Sequence, residues 1–119
     1  MGIRVLSGIL VTRGIPNGNT TINFGARTVT GSPGLEAARP TMVGDEGIYE
    51  HKPCHMVAIR EIKIKETEYT RGKSKDDTSE IDFLRISTQK IDREELSIRW
   101  DCSGGSEIEE ISYMIIGNV

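Results

Sequence analysis

The chain is poor in aromatic residues and in cysteine. Two phenylalanines, three tyrosines and one tryptophan make up 5% of its 119 residues, so the hydrophobic core must be mainly aliphatic. The two cysteines, Cys54 and Cys102, are too few for the disulfide framework of many small secreted domains. Nothing in the sequence places them near each other. We therefore expect the core to hold the fold together, with oligomerisation as a second source of stability.

An excess of basic residues and a long apolar run are also missing. The formal net charge is −3, and neither half is basic: 5 basic and 4 acidic residues up to Ile59 are followed by 10 basic and 14 acidic residues. Proteins that bind phosphate backbones usually present a basic face, so we do not expect nucleic acid as a partner. No segment approaches the roughly 20 apolar residues of a membrane-spanning helix, and we expect no membrane partner.

The N-terminal segment has no recognisable signal peptide. Its apolar run is short, is interrupted by Arg4 and Gly8, and lacks a cleavage-site pattern. The sequence therefore predicts either a mature chain or a protein made in the cytosol and released another way, as virion components are. We expect an extracellular or virion-surface location.

β-branched residues are abundant. The chain contains 16 isoleucines, 6 valines and 10 threonines, together with 13 glycines that suit turns. Short apolar segments alternate with turn signals along the whole chain, and no segment reads as a stable helix. The sequence predicts one all-β domain over residues 1–119, an antiparallel β-sandwich of six to seven strands with long loops at about 31–47 and 70–79.

Several strands carry local features that can be tested. Residues 20–30 read either as a strand pair or as one strand kinked at Gly25. Residues 55–69 change the parity of their apolar positions near Arg60 and Glu61, which predicts a bulge or a change of the buried face. Phe83 belongs to a segment that we expect to form a buried strand.

Motifs for catalysis are missing, and we expect neither an enzyme nor a cofactor. The nearest approach to a metal site is the run that contains His51, Cys54 and His55, which would need a fourth ligand such as Cys102. The alternative, which we favour, is that Cys54 is a small buried side chain beside Pro53. The many carboxylates fall in turns and at solvent-facing strand positions, which is typical of a solvated surface.

The single tryptophan is the most informative residue. Trp100 ends an alternating strand, and Asp101 follows it directly before a glycine-rich turn. A flat aromatic face with a neighbouring carboxylate is a common arrangement for binding a sugar ring. The alternative is that Trp100 continues the apolar face of Leu96 and Ile98 and lies in the core. The parity of the strand favours the core.

The layout resembles the H-type lectin domain of snail agglutinins and discoidins. The resemblance rests on four short motifs that span nearly the whole chain: RVLSG at Arg4–Gly8, PCHMVAIREIKI at Pro53–Ile64, FLRISTQKIDREELSIRW at Phe83–Trp100, and ISYMIIGN near the end. It implies a six-stranded antiparallel sandwich that assembles as a homotrimer. It also implies recognition of galactose or N-acetylgalactosamine in grooves between protomers.

The resemblance also implies binding residues. The position after the strand-ending tryptophan is Asp101 here, where the family often has histidine. Arg85 is the candidate for the family's arginine on the preceding strand, and Asp45 is the candidate for its aspartate in the early loop. The change from histidine to aspartate keeps hydrogen bonding to hydroxyl groups but alters the charge.

Two functional hypotheses follow from the sequence. The first is a non-catalytic, trimeric glycan-binding module that contacts carbohydrate through Trp100, Asp101, Arg85 and Asp45. The second is a phage or virus structural protein, such as a tail, fibre or capsid component, that uses the sandwich for assembly with itself and with other virion proteins and binds no sugar.

Overall fold

The structure is a computed structural model that describes residues 2–24, 28–31, 41–43, 48–64 and 83–119. This part of the chain contains no helix. Its strands are β1 (Ile3–Val11), β2 (Asn17–Asn23), β3 (Thr28–Gly31), β4 (Thr41–Val43), β5 (Cys54–Ile64), β6 (Phe83–Ile91), β7 (Glu95–Ser103) and β8 (Ser106–Asn118). The strands form two packed antiparallel sheets, so the predicted β-sandwich is confirmed.

Each sheet has four strands. The first sheet has the order β4-β1-β8-β5 and the second has the order β3-β2-β7-β6. Strands β7 and β8 are joined by a tight turn at Gly104 and Gly105, in which Gly104 has a φ of 84°. Glycine adopts this left-handed conformation at little cost. Across this turn, the consecutive strands β7 and β8 occupy central positions in opposite sheets.

The core lies between the sheets because alternate residues of the central strands face inward. Along β7 the buried side chains are Leu96, Ile98, Trp100 and Cys102. Along β8 the alternation shifts by one residue at Glu109 and Glu110 and then continues to Ile115. The remaining buried apolar residues complete one cluster: Leu6, Leu10, Ile22, Phe24, Tyr49, Ile108, Ile111 and Tyr113. Each buried aliphatic side chain of this kind stabilises a fold by about 1.5–3 kcal/mol.

The local predictions for residues 20–30 and 55–69 are confirmed. Residues 20–30 contain a strand pair, in which Thr21 of β2 lies opposite Thr30 of β3. Strand β5 is irregular at the predicted place, since its register against β8 shifts on both sides of Glu61. The turn before β7 is held by Asp92, whose carboxylate accepts the backbone N–H groups of Glu94 and Glu95 at 2.8 Å each.

Other expectations need correction. The predicted loop at 31–47 contains the short strand β4, which pairs with the middle of β1. Cys54 is exposed and not buried as expected, because the β5 register points it to the outer face, whereas its neighbour Pro53 is buried. Phe83 also faces outward instead of entering the core. The predicted loop at 70–79 lies outside the described residues.

Candidate ligand-binding site on the outer face of the second sheet

Two of the four predicted site residues lie side by side. The register of β6 against β7 places Arg85 directly opposite Asp101. The guanidinium Nη2 of Arg85 is 3.6 Å from Oδ2 of Asp101, and the Arg85 side chain remains 63% exposed. Sequence reasoning named both residues, and the pairing of the two strands explains why residues 16 positions apart meet.

A shallow depression surrounds this ion pair. It has a volume of about 210 Å³ and is lined by Arg85, Ser87, Gln89, Arg99 and Asp101, with Trp100 bordering it. Its polar groups are two guanidinium groups, a carboxylate, a hydroxyl and a side-chain amide. Hydrogen-bond donors and acceptors therefore alternate over a small area, which is the property needed to bind a ligand with several hydroxyl groups.

The exposed aromatic ring beside this site is Phe83, which sequence reasoning missed. Phe83 is 43% exposed, and Cζ of Arg85 lies 5.1 Å from the centroid of its ring. The sequence does indicate that Phe83 lies on the same face as Arg85, because residues 83, 85 and 87 share one face of a strand. If Arg85 faces the solvent, Phe83 must do so as well.

Trp100 itself lies in the core. Its side chain is 1% exposed, and its indole Nε1 donates a hydrogen bond to the carbonyl oxygen of Ile15 at 2.9 Å. The parity argument for a core position is therefore confirmed. The predicted stacking of a sugar on this ring needs correction, because a buried ring presents no face to a ligand. Because its side chain points into the core, Trp100 borders the depression with its backbone.

The other candidate residues do not join this site. Asp45 lies outside the described residues. His51 is exposed beside Glu50, at 3.6 Å, and within the ranges that the structure describes no three His, Cys, Asp or Glu side chains converge as a metal site. Cys54 is exposed and Cys102 is buried, and both thiols are free. The Sγ atom of Cys102 donates to the carbonyl oxygen of Pro16 at 3.2 Å.

Two buried tyrosines of the core have raised pKa values. Burial raises the pKa of Tyr113 to about 12, and burial also raises the pKa of Tyr49, partly offset by the nearby charge of Arg4. These phenols lie in the core, where low polarity disfavours the charged form. They are structural groups and do not contribute to the surface around Arg85.

In the described part of the chain, no helix is long and apolar enough to cross a membrane. Comparison with known proteins gave no match to a family model, to a curated protein or to a solved structure.

Proposed function

We propose that the protein is a non-catalytic binding module that recognises a carbohydrate of the galactose or N-acetylgalactosamine type on the outer face of the second sheet. The observation that carries the proposal is the Arg85–Asp101 pair beside the exposed ring of Phe83. The carboxylate accepts hydrogen bonds from sugar hydroxyl groups, and the guanidinium donates to sugar oxygens. The phenyl ring contacts the C–H face of a pyranose, the role first expected of Trp100.

The size of the depression favours a single sugar ring. Its volume of about 210 Å³ lies below the roughly 300–1,000 Å³ of pockets that enclose drug-sized ligands. A ligand would stay largely exposed there, and its affinity would be modest. Several weak sites acting together in one assembly would raise the overall strength of binding.

The position of the pair also agrees with a site between protomers. Arg85 stands on β6, which is the last strand of the second sheet. A neighbouring protomer placed against this edge would extend the shallow depression into a deeper groove. A homotrimer, as the resemblance to H-type lectins implies, would build three such grooves.

A glycan array followed by calorimetric titration tests the proposal. Asp101→Asn keeps the shape of the side chain and removes its charge. Because hydrogen bonds to charged groups contribute about 1.5–3 kcal/mol, we expect it to weaken binding at least about tenfold. Phe83→Leu should also weaken binding, since it removes the flat ring while leaving an apolar side chain.

The matched control is Glu110→Gln. Glu110 pairs with Arg60 on the outer face of the first sheet, so this variant removes a similar carboxylate from a similar ion pair elsewhere. We expect it to bind sugar as the wild type does. The proposal fails if the folded protein binds no glycan, or if Asp101→Asn and Phe83→Leu bind as tightly as the control.

A second candidate function is assembly into a phage or virus particle without sugar binding. The observation that favours it is the apolar outer face of the first sheet, on which Met56, Met114 and Ile116 are exposed. A structural subunit needs such a surface to join its neighbours. Self-association of a folded protein that binds no glycan would favour this function over the first.

A further inference from the structure

The outer face of the first sheet is apolar over three adjacent strands. The register places Cys54, Ile116 and Val5 in one row across β5, β8 and β1. The next rows are Met56–Met114–Ser7 and Ala58–Ser112–Ile9. Met56 is 62% exposed, Val5 is 47% exposed and Ile3, at the end of β1, is 71% exposed. These three rows contain no charged residue. A hollow of about 290 Å³ lies among the side chains of the Met56 and Ala58 rows.

The second sheet has the opposite character on its own outer face. Its corresponding rows across β2, β7 and β6 are Asn17–Asp101–Arg85 and Asn19–Arg99–Ser87. An antiparallel sheet with one face in water normally shows polar residues on that face. The second sheet follows this rule and the first does not. The outer face of the second sheet therefore suits contact with water, and that of the first sheet suits contact with apolar groups.

We infer that a second copy of the chain packs on the outer face of the first sheet, back to back across a two-fold axis. In such an isologous contact the same patch meets itself, so one contact covers the face in both copies. The surface defined by Val5, Cys54, Met56, Met114 and Ile116 is called the apolar face below. The inference does not depend on carbohydrate binding, because the Arg85–Asp101 site lies on the other sheet.

The size of the outer face of the first sheet suits this partner. Strands about 4.8 Å apart that rise about 3.4 Å per residue give β1, β8 and β5 a projected area of roughly 440 Å² over the nine residues of β1, and the three apolar rows occupy roughly 240 Å² at its centre. Side chains that protrude raise the accessible area above the projection. Two such faces together therefore bury on the order of 1,000 Å², the level that a specific interface needs.

The charges also favour a copy of the same chain. A chain with a net charge of −3 repels its own copies unless the contacting surfaces are neutral. The apolar face is neutral, and Arg60 and Glu110, which lie beyond its Ala58–Ser112 row, pair with each other. Methionine side chains are flexible and adapt to one another, and interfaces are enriched in them.

Sedimentation of charge-bearing variants tests the inference. Met56→Glu places a carboxylate in the middle of the apolar face, where burial against a second copy would leave it unpaired. We expect the wild type to self-associate at micromolar concentration, and Met56→Glu to weaken the association by about tenfold to a hundredfold. The matched control is Thr30→Glu, which adds the same charge to the outer face of the second sheet, outside the depression around Arg85, and should leave this association intact.

The cysteines give a second readout. Cys54 lies on the apolar face and Cys102 is buried in the core of each copy. In the associated wild type Cys54 should react slowly with a thiol-alkylating reagent, and in Met56→Glu it should react quickly, while Cys102 stays protected in both. Unfolding of the variant would expose Cys102 as well, so the two effects are distinguishable.

Three results would overturn the inference. The first is a monomeric wild type whose Cys54 reacts freely. The second is a monomeric wild type with protected Cys54, which would show that residues of the same chain cover the face. The third is self-association that is unchanged by Met56→Glu, which would assign the contact to another surface, such as the β6 edge. None of these results bears on sugar binding, which the array measures separately.

Discussion

The packing of Trp100 against Gly18 gives the most quantitative prediction. Gly18 lies opposite Trp100 in the β2–β7 pair, and a Cβ atom added at Gly18 would lie 2.8 Å from Cζ2 and 3.0 Å from Cη2 of the indole. The φ of Gly18 is not in the left-handed range, so an alanine there would be strained by this contact alone. The indole cannot easily move, because it is buried and bonded to Ile15.

We therefore expect Gly18→Ala to lower the free energy of unfolding by about 1–3 kcal/mol, the usual cost of overpacking a core. The m-value of a small protein in urea is about 1–3 kcal/mol/M, so the urea midpoint should fall by roughly 1 M. Trp100 is the only tryptophan and its own fluorescence reports the transition. Gly2→Ala is the matched control, because a Cβ at Gly2 would meet nothing within 4 Å.

A double-mutant cycle separates this contact from other effects. Trp100→Phe removes the indole atoms that the new Cβ would meet, and it costs about 2 kcal/mol or more by itself through the cavity and the unpaired Ile15 carbonyl. In that background Gly18→Ala should cost little, which gives a coupling of about 1–2 kcal/mol. Far-UV circular dichroism follows unfolding in all four proteins. Additive costs, or a Gly18→Ala protein as stable as the wild type, would refute the packing described above.

Three further predictions concern stability. Gly117→Ala should destabilise the fold by about 1–3 kcal/mol in urea denaturation, because its Cβ would lie 2.8 Å from Cδ1 of Tyr49 and 2.9 Å from Cβ of Pro53; an unchanged midpoint would contradict this. Burial tends to raise the pKa of Asp92, but hydrogen bonds from two backbone amides of its turn, together with the hydrogen bond and charge of Lys90, lower the pKa below its usual value. The wild type should thus be more stable than Asp92→Asn above pH about 4, and the difference should vanish as the pH falls through the folded pKa; a difference that persists in acid would be evidence against it. Because burial raises the pKa of Tyr113 to about 12, stability should decline as the pH rises above the unfolded value of about 10, and Tyr113→Phe should remove part of this decline; equal alkaline sensitivity in both proteins would argue against burial as the cause.

The sequence carried enough information for the architecture because strand periodicity and turn residues are local signals. The alternation of Leu96, Ile98 and Trp100 marks β7 as a strand with one buried face. The parity change near Glu61 marks the irregularity of β5 in the same way. The short strand β4 has only three residues, Thr41–Val43. It pairs with residues of β1 that are distant in the sequence, and no local pattern predicts this pairing.

The candidate site was only partly predictable for a related reason. The sequence indicates Arg85 and Asp101 separately, and their contact depends on the register of β6 and β7, which sequence alone does not fix. The sequence points to Trp100 as the aromatic part because it is the only tryptophan, although the parity of its strand favours the core. Phe83 shares the outward parity of Arg85 and supplies the exposed ring instead.

The most direct test of the central claim is a nuclear magnetic resonance titration of the isotope-labelled protein with galactose and N-acetylgalactosamine. The claim predicts saturable shifts of backbone amides in β6 and β7 around Arg85 and Asp101, with no comparable shifts in the first sheet and with loss of the shifts in Asp101→Asn. Spectra that stay unchanged with both sugars, or shifts confined to the first sheet, would contradict the assignment of carbohydrate binding to this surface.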